Sequence, residues 1–130
     1  MQLNVTTDYA IRIVLFLVLK KGIANSAEMA EAMGIPHSYI LKITKVLKSV
    51  DILAEKRGIN GGFVLKKSPE ELTLLTIIAA LEKTININRC LEEDKYCSRY
   101  ATSYCKVRKL LCEAQVELFR RLDVKISEFI

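Results

Sequence analysis

Apolar positions change their spacing several times along the chain, and each change marks an element. Ala10 to Leu19 is an apolar run broken only by Arg12. Ten residues are too few to span a bilayer, so the run reads as a helix buried on most sides. Asp8 or Thr7 can cap it, it extends to about Lys21, and Gly22 stops it. "NSAEMAEAMG" predicts a second helix, capped by Asn25 or Ser26 and ended by Gly34. Its Glu28 and Glu31 sit early, where the helix dipole favours acids. "IPHSYILKITKVLKSV" predicts a third, with Pro36 in its first turn. Ile40, Ile43, Val46, Leu47 and Val50 recur there at helical spacing and leave Lys42, Lys45 and Lys48 outward.

The period then shortens. "ILAEKRGINGGFVLKK" reads as two short strands around a turn, with Asn60-Gly61-Gly62 supplying residues that tolerate positive φ. Lys56 and Arg57 flank the tip on one side, Lys66 and Lys67 on the other. After a Ser68-Pro69 turn, Thr73 can cap a short apolar helix from Leu74 to Glu82. Residues 86–102 have no sustained period and read mostly as loop. A long helix resumes from about Ser103, with Val107, Leu110, Leu111, Ala114, Leu118 and Leu122 as one stripe. That stripe exceeds what a small domain needs to bury, so a helix from a second subunit is expected to cover it.

Two short helices meeting at Gly34 form a helix-turn-helix signature, and a hairpin directly after it is a wing. The logic is complementary: a helix fits the major groove, while a thin turn enters the minor groove, where Arg is favoured. The fold class is therefore mainly α with a small β-hairpin wing. We divide it into a winged helix-turn-helix domain at residues 1–84, a cysteine-containing sensor loop at 85–104, and a dimerisation helix with its tail at 105–130.

Charge supports this reading. The chain has 130 residues and a net charge of +5. Residues 1–35 sum to zero, three basic against three acidic, and residues 68–130 sum to zero, ten against ten. Residues 36–67 carry seven basic and two acidic side chains, the whole +5, as a polyanion-binding surface would. The N-terminal stretch has neither a basic n-region nor a small-residue cleavage site, so a cytoplasmic, reducing compartment is expected and no membrane. His37 is the single histidine, and no Ser/His/Asp set, Cys/His set or phosphate loop can be assembled. An enzyme is not expected.

All four cysteines lie between Cys90 and Cys112. In a reducing compartment that points to metal or redox chemistry more than to a structural disulfide. Iron–sulfur clusters take thiolates and tolerate irregular loop spacing. Zinc sites more often use C-x2–4-C pairs, which are absent. A thiol or persulfide switch needs only two cysteines. Arg89, Lys95, Arg99 and Lys106 would favour the thiolate in any of these cases.

The opening "NVTTDYAIRIVLFL", the segment "GIPHSYILKITKVLKSVDIL" and the wing "EKRGINGGFVLKKSPEELTL" together resemble the Rrf2 family of winged-helix transcription regulators. "LDVKISEF" carries the resemblance to the end of the chain. The most specific piece is Arg57-Gly58-Ile59-Asn60-Gly61-Gly62-Phe63, a close variant of the family's Arg-Gly-x-x-Gly-Gly-aromatic pattern. The resemblance implies a homodimer joined by the long helix. It implies major-groove or phosphate contacts by Ser38, Tyr39 and Lys42, and a minor-groove contact by Arg57. With Lys45 and Asn60 on the same helix and wing, these are the candidate contacts to a palindromic operator in double-stranded DNA. Many members have an acidic or amide residue near Leu41 and Lys42; this chain has none, so their operator does not carry over.

Cluster-binding members place three cysteines before the long helix, and the matching positions are Cys90, Cys97 and Cys105. Their intervals, six and seven residues, are longer than the family's usual ones. The resemblance thus implies a 4Fe-4S or 2Fe-2S cluster. In nitric-oxide-sensing members an Asp of the other subunit supplies the fourth ligand, and the matching residue is Asp8. Its bland alternative is a helix cap. Cys112, seven residues after Cys105, is a second candidate, or else a small filler of the apolar stripe. Other members use a His where this chain has Val107 and Arg108. The function implied is a transcriptional repressor that responds to nitric oxide, oxygen or iron–sulfur status. The alternatives are a regulator of the same fold with a thiol, metabolite or partner sensor, and an iron–sulfur electron-transfer protein.

Overall fold

Asn4 starts the first helix. Its side chain accepts the Thr6 N–H and its carbonyl accepts those of Thr7 and Asp8, so the cap lies earlier than Asp8 or Thr7. Those two residues already lie within the first turn, where their side chains cannot reach forward amides as a cap does. The computed structural model describes residues 1–130. Helix α1 spans Val5–Lys20, and Lys21 closes it in the left-handed conformation one residue before Gly22. Helix α2 is Ser26–Met33, capped by Asn25 and closed by Gly34 at φ +63°. Helix α3 is His37–Ser49, with Pro36 at its cap position.

Strands β1 (Leu53–Lys56) and β2 (Gly62–Leu65) pair antiparallel, Leu53 opposite Leu65 and Lys56 opposite Gly62. The left-handed backbone of the hairpin falls at Gly58 and Gly62 rather than at Asn60 and Gly61. Gly61 is needed for space instead: a Cβ there would lie 2.3 Å from the Lys56 carbonyl oxygen. Phe63 exchanges two backbone hydrogen bonds with Ala24, of 3.0 and 2.8 Å, which fixes the hairpin to the link between α1 and α2.

Helix α4 is Leu74–Leu81, capped by Thr73. A single 3-10 turn, Arg89–Leu91, interrupts the loop that follows. Helix α5 is Lys106–Leu122 with Cys105 as its cap, so it begins later than the apolar spacing predicts. The chain ends in a second 3-10 turn, Ile126–Phe129, whose Ile126 is fully buried and donates its N–H to the Leu72 carbonyl. The C-terminus thereby returns to the base of α4.

One core holds these elements. Ala10, Ile13, Val14 and Leu17 of α1 meet Met29 of α2, Ile40, Ile43 and Leu47 of α3, Ile52, Leu53 and Phe63 of the hairpin, and Ile77 of α4. Each fully buried aliphatic side chain contributes roughly 1.5–3 kcal/mol. No helix is long and apolar enough to cross a membrane.

A polar clamp closes the far end. One Glu82 oxygen accepts the Asn4 N–H at 2.6 Å and the Thr7 hydroxyl at 2.8 Å, joining the end of α4 to the start of α1. Thr7 is fully buried. We expect Glu82→Ala to lower unfolding free energy by about 1–3 kcal/mol, because a buried hydroxyl loses its partner. Chemical denaturation measures it, and an unchanged midpoint would show that the clamp contributes nothing.

Candidate DNA interface and sensor loop

Helix α3 buries Ile40, Ile43, Thr44 and Leu47 and turns Ser38, Lys42 and Lys45 outward on the opposite side. Tyr39 differs from those three. Its ring is half-buried and packs edge-on against Tyr9, with centroids 5.2 Å apart, so it ties α3 to α1. His37 and Ser26 meet at 3.1 Å across the helix-turn-helix angle. Lys83 shares with Lys42 a cleft of about 370 Å³ between α1, α3 and α4. Only tertiary proximity shows that neighbour, 41 positions away in sequence.

The charge of residues 36–67 is sorted by two ion pairs. Lys48 pairs with Glu55 at 2.5 Å and Lys66 with Asp51 at 2.7 Å. Hydrogen bonds from these lysines hold both carboxyls below their ordinary range. The only two acids of the segment are thereby engaged, and seven cations minus two leaves Lys42, Lys45, Lys56, Arg57 and Lys67 without an acidic partner. Arg57 and Asn60 lie at the exposed wing tip.

The loop that carries Cys90, Cys97 and Cys105 is held along its first part. Glu92 accepts from the Thr84 hydroxyl and from the Asn86 amide at 3.0 Å. Gln115 of α5 accepts the Ile87 N–H at 2.7 Å and donates to the Asn86 side chain at 2.8 Å. Arg108 of α5 donates to the Cys90 carbonyl at 3.0 Å. Arg89 forms a two-pronged pair with Asp94, both contacts 2.6 Å, and lies over the Tyr96 ring. The Arg89 hydrogen bonds bring the Asp94 carboxyl down to about 2. Thr84, Asn86, Glu92 and Gln115 carry no sequence motif, so pattern reading passes over them.

Two of the four sulfurs accept hydrogen bonds. Cys90 accepts from the Asn88 amide at 3.4 Å, and Cys105 from the Arg108 N–H at 3.4 Å at the start of α5. Cys97 sits in a tight turn whose backbone N–H groups, Ala101 first and then Arg99, hold its thiol below the ordinary value. All four cysteines are free. The three sulfurs do not converge on a point that would hold one ion, and Asp8 does not join them within the chain. Asp8 instead pairs with Arg12 at 2.7 Å, and Arg12 donates to the Met33 carbonyl at the end of α2.

Helix α5 divides the predicted stripe. Leu111 and Leu122 are half-buried and Leu118 borders the cleft against its own domain, while Val107, Leu110 and Ala114 face outward. Cys112 is not on that outward row. Two residues are a rotation of about 200°, so Cys112 lies nearly opposite Ala114. It is exposed and lines the same cleft as Cys105, which corrects its reading as a filler of the stripe.

The Rrf2 family model, described as iron-dependent transcriptional regulator, matches residues 3–128. The HTH-type transcriptional regulator NsrR of Halalkalibacterium halodurans is 28% identical over 126 residues, covering 95% of this chain and 85% of that protein. NsrR of Geobacillus kaustophilus is 30% identical over 126 residues, covering 95% and 84%. Among solved structures, T. potens IscR superposes with a TM-score of 0.78 at 16% identity, covering 99% of this chain and 85% of that one. CymR, the global cysteine regulator of B. subtilis, gives a TM-score of 0.70 at 19% identity, covering 99% and 95%. With the family model spanning nearly the whole length of a winged-helix fold, the chain belongs to the Rrf2 family of DNA-binding transcriptional regulators.

Proposed function

We propose that this regulator is a homodimeric repressor whose hold on a palindromic operator is set by an iron–sulfur cluster on Cys90, Cys97 and Cys105. The observation that carries the reading is that these three free thiols lie in the one loop joining α4 to α5, with donors at the Cys90 and Cys105 sulfurs. Thiolate is the form of cysteine that ligates iron, and three free cysteines within one loop suit a multi-iron group better than a single ion. When bound, such a group supplies iron that reacts with nitric oxide or oxygen. Asp8 of the second subunit is the proposed fourth ligand, which requires it to leave Arg12. The loop joins α4 to α5, and Gln115 and Arg108 transmit its order to the dimer helix. Loss of ligation would free the loop and change the spacing of the two α3 helices. Ser38, Lys42 and Lys45 then serve the major groove or phosphates, with Tyr39 holding α3 in place and Arg57 and Asn60 serving the minor groove. Anaerobically purified protein should be brown, and a colourless preparation without iron or sulfide would remove the cluster from the reading.

DNA binding should weaken steeply with salt, through counterion release. Arg57→Ala is expected to cost about 1–3 kcal/mol of affinity and to relax base preference beneath the wing. Fluorescence anisotropy over a salt series reads both, and wild-type affinity in the variant would place the wing off the DNA.

A further inference from the structure

Ile59 stands at the apex of the wing with its whole side chain in solvent, 104% exposed. It is the second residue of a tight turn, Gly58 to Gly61, closed by the Gly61 N–H to the Gly58 carbonyl at 3.0 Å. Scattered exposed apolar side chains are ordinary on protein surfaces. This position is different. Turns of this kind favour Pro, Asn, Asp or Ser for local reasons, and a β-branched aliphatic serves the turn poorly. Ile59 also contributes nothing to the core, since no part of it is buried. A residue that breaks the local rule without a gain in the fold marks a contact made elsewhere.

Its surroundings identify the contact. Lys56 and Arg57 stand just before Ile59 at the tip end of the hairpin and have no acidic partner, whereas Lys66 and Lys67 lie at its base beside the Ile52 carbonyl. Gly58 and Gly61 keep the tip thin on both sides of Ile59. An apolar point on a thin, cationic finger fits the minor groove of duplex DNA, whose walls are sugar edges and whose rims are phosphates. We propose that Ile59 is the apolar reading tip of the wing, entering the minor groove beside Arg57 and packing on the sugar walls or against a base step. This rests on the DNA-binding reading above and adds a specificity residue to it.

The test uses full-length protein and the duplex that the wild-type chain selects from a random-sequence pool. Affinities are measured over a salt series for wild type, Ile59→Asn, Ile59→Leu and Arg57→Ala. Ile59→Asn should melt no lower than wild type, because Asn suits the turn, yet bind roughly tenfold to hundredfold more weakly. Its salt slope should match wild type, since no cation is lost, whereas Arg57→Ala should flatten the slope. Ile59→Leu should retain most of the affinity. Wild-type affinity in Ile59→Asn overturns the inference and leaves the DNA reading intact. So does a flattened slope in that variant, which would mean that Ile59 acts only by placing Arg57. A wild-type chain that selects no duplex overturns both.

Discussion

Replacing Cys90, Cys97 or Cys105 by serine is expected to yield protein that purifies anaerobically with little iron or sulfide. Serine keeps the shape of the site and removes the soft donor. The only other cysteine, Cys112, lies on the exposed side of α5, so it does not replace a lost one. Cys112→Ser is the internal control. Its sulfur is exposed on the side of α5 away from Leu110 and Ala114, so the variant should keep its colour and change stability by no more than about 0.5 kcal/mol. Asp8→Ala separates two roles. As a ligand, its loss should leave a cluster that forms but decays faster in oxygen or nitric oxide. As the Arg12 partner alone, its loss should leave cluster lifetime unchanged. A colourless Cys112→Ser protein beside a brown Cys90→Ser protein would overturn the assignment.

Leu110→Asp should convert the protein to folded monomers. Val107 and Leu110 are 65% and 64% exposed on the single chain, and with Ala114 they form an outward row on α5. A row of this kind is the expected seat of a second copy of the helix. An unpaired carboxylate buried in that seam costs several kcal/mol per subunit, which weakens self-association by roughly a thousandfold or more. Leu110 suits the test because it turns away from its own domain. Leu118 lines a cleft of about 480 Å³ with Ile78, Phe119 and Leu122, so a charge there also disturbs the parent fold. Light scattering on Leu110→Asp, with a thermal melt as folding control, decides the point. A folded variant that stays dimeric would place the interface elsewhere.

Local rules account for what was legible in the sequence. The α2 and α4 caps at Asn25 and Thr73 and the end of α2 at Gly34 depend on neighbours within four residues, and spacing alone reveals them. The helix-turn-helix followed by a hairpin, and the outward lysines of α3, follow from period and composition in the same way. The start of α1 was misread because Thr7, a good cap by type, donates its hydroxyl to Glu82, 75 residues away, while Asn4 makes the cap. The hairpin glycines exchanged roles because which of them needs left-handed backbone and which needs room depends on the Lys56 and Ala24 carbonyls. The α5 stripe looked single because periodicity records which residues are apolar, not which side the parent domain already covers. The pinning of the cysteine loop by Gln115 and Arg108, and the placing of Lys83 beside Lys42, arise only when distant segments meet. By itself the sequence determined the elements, the basic segment 36–67 and the thiol-rich loop, since each is a matter of residue type at short range. Tertiary structure decided which acids neutralise which lysines, how the loop is tied to α5 and which face of α5 remains open, because those depend on packing between residues that the chain keeps apart.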